Sequence, residues 1–325
     1  MVNILINSTN RLLVSVTILV LSCPVGAYAA EQVVLGGGDK PWWYWPLILF
    51  IFCFGLGILA VMAGVGGGVL YVPLVSGFFP FHIDFVRGVG LMVALAGALA
   101  AGPGLLRRNL ANLRLALPVA LIASTFSIIG AMLGLYLSAL NPDIIQVCLG
   151  ATIVGIAALL IFSKNSEKPI VTNQDAISHA LGLGGVYWDE GARENVEWKT
   201  HRTVLGFFMF ILIGLVAGMF GLGAGWANVP VLNLMMGAPL KISVATSKFL
   251  LSITDTSAAW IYMNRGCVIP LIGVPSIVGL MLGSLLGVRL LAIAKPKMIR
   301  YFVIVVLLFA GLKAMDKGLG LGLLG

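Results

Sequence analysis

Long apolar stretches separated by short polar ones run along most of the chain. Beyond the N-terminal region they cover residues 45–79, 87–106, 115–140 and 144–162, and then 203–236, 242–263, 268–293 and 298–314. Most of them approach or exceed the roughly 20 apolar residues that a helix needs to cross a bilayer. The pattern predicts an all-α polytopic membrane protein in two halves, residues 45–162 and 203–315.

The N-terminal region predicts a leader followed by an interfacial segment. An apolar run follows Arg11, and the small residues Ala27 and Ala29 suit cleavage by a signal peptidase. We therefore expect residues 1–29 to form a signal peptide, with an uncleaved first transmembrane helix as the alternative. Residues 30–44 are rich in turn formers and end in clustered aromatic side chains, which are typical of the headgroup level, here on the periplasmic side.

Two further segments lie outside the apolar stretches. Residues 163–202 hold half of the acidic residues and two of the three histidines, within a stretch that includes GGVYWDEGARENVEW. We expect a cytoplasmic loop or small extramembrane subdomain there, and its residues do not identify a role. The Gly/Leu-rich residues 316–325 are expected to form a flexible tail.

The two halves resemble each other in sequence. At an offset of 157, GILAVMAGVGGGVLYVP from residue 57 aligns with GLVAGMFGLGAGWANVP from residue 214, with eight identities in 17 positions. At an offset of 153, GAMLGLYLSA from residue 130 aligns with GSLLGVRLLA from residue 283, with five identities in ten. A duplicated membrane unit is the plan on which many transporters are built.

Each glycine motif predicts a break in a membrane helix. Residues 45–79 are too many for one straight crossing, and splitting them at the glycines leaves a second arm that rises only about 16 Å. Each half is therefore expected to be a re-entrant hairpin followed by three transmembrane helices. With a cleaved leader the two repeats have inverted orientations, although the distribution of Lys and Arg barely separates this topology from parallel repeats.

The glycine motifs do not match nucleotide-binding loops, because they lack G-x-G-x-x-G and the GK[ST] ending of a P-loop. Their GxxxG spacing offers close helix packing as one interpretation. Unwound backbone at membrane depth, however, needs protein or a water-filled cavity around it. The N–H groups of the helix that follows would then face an anion. The residues expected to form one central anion site are Gly66, Gly67, Gly68, Gly223, Ala224 and Gly225.

Polar residues inside an apolar helix of the second half supply further candidates. Thr246, Ser247 and Lys248 are candidates for binding the substrate, together with Asn228. Lys248 and Asp255 are seven residues apart and share one helix face, and such intramembrane charges usually face a cavity and a partner. Asp255 is a candidate for carrying a coupling proton or for pairing with Lys248. A buried pair that only fixes packing, or a Lys248 that reaches the cytoplasmic surface, are the alternatives.

One charged cluster lies in the first half, close to the position equivalent to Thr246. His82, Asp84 and Arg87 occur within HIDFVRGVG. They are candidates for an external lip, which is the outer entrance of a path to the predicted anion site. A plain interfacial loop is the alternative.

Composition agrees with a membrane protein and argues against other classes. The 325 residues are 60% hydrophobic and 10% charged, whereas an average soluble domain has about a quarter charged residues. The net charge of +8 reflects Lys and Arg in the loops and does not indicate nucleic-acid binding. The four cysteines form no cluster, and the predicted membrane helices contain no histidine. We expect no enzymatic activity, no metal and no cofactor.

The two copies of G-x-G-[GA]-G followed by VP, with VATSKFL in the second half, resemble the TauE/SafE sulfite exporter family, also called 4-toluene sulfonate uptake permeases. The resemblance covers residues 45–314. It implies a bacterial inner-membrane secondary carrier of small anions, such as sulfite, sulfoacetate and taurine-related sulfonates, coupled to protons. The family's TS falls on Thr246 and Ser247, but Arg87 and Gly88 occupy the equivalent place in the first half. Two equal half-sites are therefore not expected.

These observations together predict transport by alternating access, with a small anion between the two broken hairpins and Lys248 supplying positive charge. A membrane accessory or assembly protein, whose glycines only pack helices, is one alternative. A passive anion channel is the other.

Overall fold

A computed structural model describes residues 43–63, 66–107, 112–162, 169, 171, 174–189, 194–291 and 296–320. The predicted signal peptide, nearly all of the interfacial segment and the last five residues of the predicted tail lie outside these ranges. Helix is the main secondary structure of the described residues, in agreement with the predicted all-α protein.

The first half forms five helices within its described residues. They are α1 Tyr44–Ala63, α2 Gly67–Phe78, α3 Ile83–Arg107, α4 Leu113–Leu140 and α5 Pro142–Phe162. The glycine motif separates α1 from the short α2. The side chain of Asn112 caps α4 by accepting a hydrogen bond from the backbone N–H of Leu115 at 3.0 Å, which satisfies one of the unpaired donors of the first turn. Pro142 opens α5, at a position where a missing N–H costs nothing.

The segment between the halves contains a short helix and a β-hairpin, so the described chain is not purely helical. The elements are α6 Ala176–Ala180, β1 Gly184–Asp189 and β2 Glu194–Lys199. The strands are antiparallel, with Gly184 opposite Lys199 and Asp189 opposite Glu194. Tyr187 and Trp198 are buried in the same apolar cluster as residues of the membrane helices.

This small subdomain is tied to the start of the second half. Asp175 accepts hydrogen bonds from the backbone N–H of Thr203 at 3.1 Å and from its hydroxyl at 2.9 Å. Because Thr203 is the first residue of the next helix, Asp175 acts as a cap supplied from a distant part of the chain.

The second half repeats the order of the first. Its elements are α7 Thr203–Phe220, α8 Gly225–Pro230 with a following π-helical turn Val231–Met235, α9 Leu240–Asn264, α10 Pro270–Leu291 and α11 Pro296–Leu319. The second glycine motif separates α7 from α8. The last helix continues beyond residue 315 as far as Leu319.

Each half packs its first helix against the fourth helix of the other. At Gly214 and Gly218 on α7 an added Cβ would overlap the backbone of α4, and at Gly57 on α1 it would overlap the backbone of α10. Equivalent helices also pair directly, α3 with α9 and α5 with α11. Small residues allow this close approach of membrane helices. The main contacts are therefore repeated with the two halves exchanged.

Four helices of the described residues are long and apolar enough to cross a membrane by composition alone. They lie at Leu113–Leu140, Pro142–Ile161, Thr203–Phe220 and Pro270–Gly287. The polar side chains of α9 lower its apolar character, and this helix lies between α3, α4 and the second break. The chain is therefore a multi-pass membrane protein.

Candidate functional site

The two helix breaks differ in backbone conformation. Gly66 precedes α2 in an extended conformation, with φ −65° and ψ 141°, while Gly64 and Val65 lie outside the described residues. In the second break Gly221 and Gly223 have φ values of +69° and +70°. Residues with a side chain rarely adopt such angles, so the second break requires glycine for its conformation as well as for space.

The two breaks lie against each other. A Cβ added to Gly225 would lie 3.6 Å from the Cα of Gly66 and 3.7 Å from its nitrogen. A Cβ added to Gly68 would lie 2.6 Å from the carbonyl oxygen of Leu222. The start of α2 and the start of α8 therefore meet backbone to backbone, which brings the predicted glycine sets of the two halves together.

The N-terminus of α2 lies at this meeting point, and no side chain of the described residues caps it. The first N–H groups of a helix lack partners within the α-helical pattern. The helix has 12 residues, so these groups carry the partial positive charge of a real helix end.

Helix α9 turns one face towards the second break. The Cδ1 atom of Leu251 is 3.2 Å from the position of a Cβ on Gly225, and Oδ2 of Asp255 is 3.0 Å from that of a Cβ on Gly223. Lys248 precedes Leu251 by nearly one turn, so it belongs to the same face. The structure thus brings Asp255 to the break, on the helix face that its spacing from Lys248 predicts the two residues share.

Several buried polar atoms at this place have no hydrogen-bond partner among the described residues. They are both carboxylate oxygens of Asp255, both side-chain polar atoms of Asn228 and Nε1 of Trp226. Asp255 is 0% exposed and Asn228 is 1% exposed. Most buried polar groups in proteins are paired, because an unpaired one costs about 1–3 kcal/mol. Unpaired groups of this kind indicate a place for a ligand.

Lys248 and Asp255 do not form an ion pair, since no contact within 4.0 Å joins their charged atoms. Lys248 is partly buried. The interpretation of the two residues as a closed packing pair therefore does not describe this structure.

Thr246 and Ser247 are both buried, but Thr246 is already engaged. Its hydroxyl oxygen accepts a hydrogen bond from the backbone N–H of Asn112 at 3.2 Å. The amide of Asn112 in turn donates to the carbonyl of Gly184 at 3.5 Å. Thr246 thus connects α9 to the start of α4 and, through Asn112, to the β-hairpin.

Arg87 occupies a different position from the one expected of a path lip or an interfacial loop. Its side chain extends from α3 and is fully buried. It donates to the carbonyl oxygen of Met219 at 2.8 Å and to that of Gly134 at 3.3 Å, and it forms an ion pair with Asp84. Only His82 and Asp84 lie nearer the surface, with side chains 49% and 19% exposed.

The two halves of the site are unequal. Tyr71 in the first motif corresponds to Asn228 in the second, and its hydroxyl is 3.3 Å from the hydroxyl of Ser276. Tyr71 is therefore paired, whereas the side chain of Asn228 has no hydrogen-bond partner in the described part of the chain. Sequence reasoning missed Trp226, although an indole directly after the second glycine motif was a visible signal. It also missed Tyr262, for which a tyrosine far along an apolar helix gave little signal.

No group of three or more His, Cys, Asp or Glu side chains suited to a metal occurs in the described part of the chain. Two broken helices that meet beside buried polar groups are typical of membrane transporters.

Comparison with known proteins agrees with this class. The sequence model of the Sulfite exporter TauE/SafE family matches residues 49–314, and the chain belongs to that family. It is 23% identical over 281 residues to the Probable membrane transporter protein YunE of Bacillus subtilis (strain 168), covering 84% of this chain and 98% of the relative. It is 26% identical over 261 residues to the Probable membrane transporter protein ORF9 of Sinorhizobium sp, covering 79% and 87%. A third relative, the Probable membrane transporter protein MJ0441 of Methanocaldococcus jannaschii, is 22% identical over 267 residues, covering 78% and 89%. No solved structure matches the chain.

The family and the names of these relatives indicate a membrane transporter rather than an enzyme. This agrees with the predicted class of protein.

Proposed function

We propose that this protein is a secondary active transporter of small anions in the bacterial inner membrane. Its proposed substrates are sulfite and organosulfonates, such as sulfoacetate and taurine-related compounds, and its proposed mechanism is alternating access coupled to protons. The observation that carries the proposal is the contact between Gly66 and Gly225, with buried Asn228 and Asp255 side chains on the adjoining helices that have no hydrogen-bond partner among the described residues.

Three kinds of donor would hold the anion. The uncapped N-terminus of α2 supplies backbone N–H groups, and the amide of Asn228 supplies a side-chain donor. Lys248 supplies the positive charge that balances the substrate. Sulfite and sulfonate groups present three oxygen atoms in different directions, which suits donors that converge from separate helices.

Asp255 would couple the anion to a proton. Because its carboxylate contacts Gly223, an anion in the break would lie near it. Two negative charges about 5 Å apart repel by roughly 3 kcal/mol at an effective dielectric constant of 20. A proton on Asp255 removes this repulsion, so each anion would be bound together with a proton.

Few other charges face Asp255. Lys248 on the same helix offsets part of the repulsion, and α3 presents the apolar Ala94 at the same point. Arg87 touches the break through its backbone, but its guanidinium is held by Met219 and Asp84. Asp255 is therefore the acidic group of the described residues that we assign to coupling.

Alternating access is supported by the repeated contacts of the two halves. The contact of α7 with α4 is matched by that of α1 with α10, and the contact of α9 with α4 is matched by that of α3 with α10. An inverted relation between the repeats would let the same contacts open the site on one side and then on the other.

Flux in proteoliposomes tests the proposal. Uptake of labelled sulfite or sulfoacetate is measured for the wild type, for Lys248→Ala and for Lys241→Ala, an exposed lysine of the same helix that serves as the matched control. Loss of a hydrogen bond to a charged group costs about 1.5–3 kcal/mol, so we expect Lys248→Ala to bind the anion about 10–100-fold more weakly. Lys241→Ala should transport like the wild type.

The other functions predict different outcomes. A passive channel would give flux that ignores an imposed pH gradient and saturates poorly. An accessory protein would give no flux and no thermal stabilisation by any anion. Unchanged flux in Lys248→Ala would remove Lys248 from the site.

A further inference from the structure

The end of α7, on the N-terminal side of the second break, is held by side chains from two other helices. The last carbonyl groups of a helix have no partner within it. Here the hydroxyl of Tyr262 on α9 lies 3.0 Å from the carbonyl oxygen of Gly218 and 3.1 Å from that of Met219. The guanidinium of Arg87 on α3 donates to the Met219 oxygen at 2.8 Å. Two of the carbonyl groups at the end of α7 are thus satisfied from outside the helix.

Arg87 also connects this helix end to its surroundings. It donates to the carbonyl of Gly134 on α4 at 3.3 Å, pairs with Asp84, and lies 5.6 Å from the centre of the Tyr262 ring. The backbone of Arg87 packs directly against the second break, since a Cβ on Gly221 would be 2.7 Å from the Cα of Arg87. One fully buried side chain therefore joins α3, α4 and α7 at the point where α7 ends.

We propose that Arg87, assisted by Tyr262, is a positioning residue for the anion site, because it fixes the point at which α7 ends. That point determines where residues 221–224 run and where α8 presents Asn228. Carbonyl groups at membrane depth must be satisfied by protein or by water in a cavity, and a cation stabilises the negative end of a helix. Without these donors the carbonyl groups at the end of α7 would have to bind other donors. The position of the second break would then no longer be fixed.

This inference rests on the proposed function, and the affinity for sulfite and sulfoacetate tests both. Tyr262→Phe deletes only the hydroxyl and is the mildest variant. Arg87→Met combined with Asp84→Asn removes both charges of the buried pair, so that neither is left unpaired. Arg87→Lys keeps the charge but cannot donate in several directions at once.

We expect Tyr262→Phe and the double variant to bind sulfite about tenfold more weakly or worse, since each loses buried hydrogen bonds that hold the site. Arg87→Lys should fall between them and the wild type. Affinity is measured by calorimetry at a temperature where each variant is folded. A purely structural role would lower thermal stability and leave the affinity of the folded fraction unchanged.

Lys317→Met is the matched control. Lys317 donates to the carbonyl of Ser76 at 2.9 Å, near the end of α2 that is farthest from Gly66. It therefore satisfies a helix end in the same way at a place remote from the site. Its removal should change sulfite affinity by less than about twofold, as expected for an exposed charge.

The outcomes separate the two proposals. A wild type that binds no anion would overturn the proposed function and this inference with it. A wild type that binds anions, with Tyr262→Phe and the double variant binding equally well, would overturn the positioning role alone. Weaker binding in Lys317→Met, to the same degree as in Tyr262→Phe, would also overturn it.

Discussion

The same substitution at the two aligned glycines is expected to have opposite effects. Gly66 and Gly223 occupy equivalent positions of the repeated motif at the offset of 157. Gly66 has φ −65°, whereas Gly223 has φ +70°. Alanine therefore suits the backbone at the first position and is strained at the second.

The magnitudes follow from the surroundings of each glycine. At Gly223 a left-handed alanine costs about 1–2 kcal/mol. Its Cβ would also lie 2.9 Å from the Cβ of Ala94 and 3.0 Å from Oδ2 of Asp255, and such overpacking costs about 1–3 kcal/mol more. A Cβ added to Gly66 would lie 3.8 Å from the Cα of Gly225, which is ordinary contact. Alanine should therefore stabilise the protein by about 0.4–1 kcal/mol, because it reduces the conformational freedom of the unfolded chain.

Thermal unfolding of the purified protein in one detergent checks this prediction. Gly223→Ala should unfold at a clearly lower temperature than the wild type, and Gly66→Ala at the same or a higher one. Gly55→Ala is the control, because no atom lies within 4 Å of a Cβ at that position. Equal destabilisation by both motif variants would refute the argument that the two breaks differ in conformation.

Two further predictions concern the polar groups at the break. Asn228→Leu should leave the stability of the ligand-free protein unchanged or raised, because it removes a buried amide that has no partner among the residues the structure describes. Its affinity for sulfite should fall about 10-fold or more. A variant that is unstable yet binds sulfite normally would show that Asn228 is structural. Asp255→Asn keeps the shape of the side chain but cannot carry a proton, so a pH gradient should no longer drive uphill sulfite accumulation in proteoliposomes while downhill exchange continues. Accumulation driven as in the wild type would exclude Asp255 from coupling.

The sequence predicted the features that depend on composition and local spacing. Apolar length identified the membrane helices, and two clusters of glycine located the breaks, because a helix cannot continue easily through such a stretch. The spacing of Lys248 and Asp255 placed them on one helix face, and the structure turns that face to the break.

Other features could not be read from local spacing. The polar stretch between the halves forms a β-hairpin, and its buried Tyr187 and Trp198 belong to the same apolar cluster as residues of the membrane helices. This arrangement depends on contacts with helices that are distant in sequence. The sequence indicated two similar motifs, yet their glycines at aligned positions adopt different φ values because their neighbours differ. Arg87 is a further example. Its charge suggested a place at the membrane surface, but its buried guanidinium donates to the carbonyl oxygens of residues 134 and 219, which are distant in sequence.

The sequence by itself thus determined the class of the protein, the number of motifs and the residue types available to an anion. The tertiary structure decided which of these residues meet, which polar groups are already paired, and which are left for a ligand. Thr246 is engaged by Asn112 and Tyr71 is close to Ser276, while Asn228 and Asp255 have no partner among the described residues. The physical reason is that hydrogen-bond satisfaction at membrane depth is settled between helices, by atoms that lie far apart along the chain.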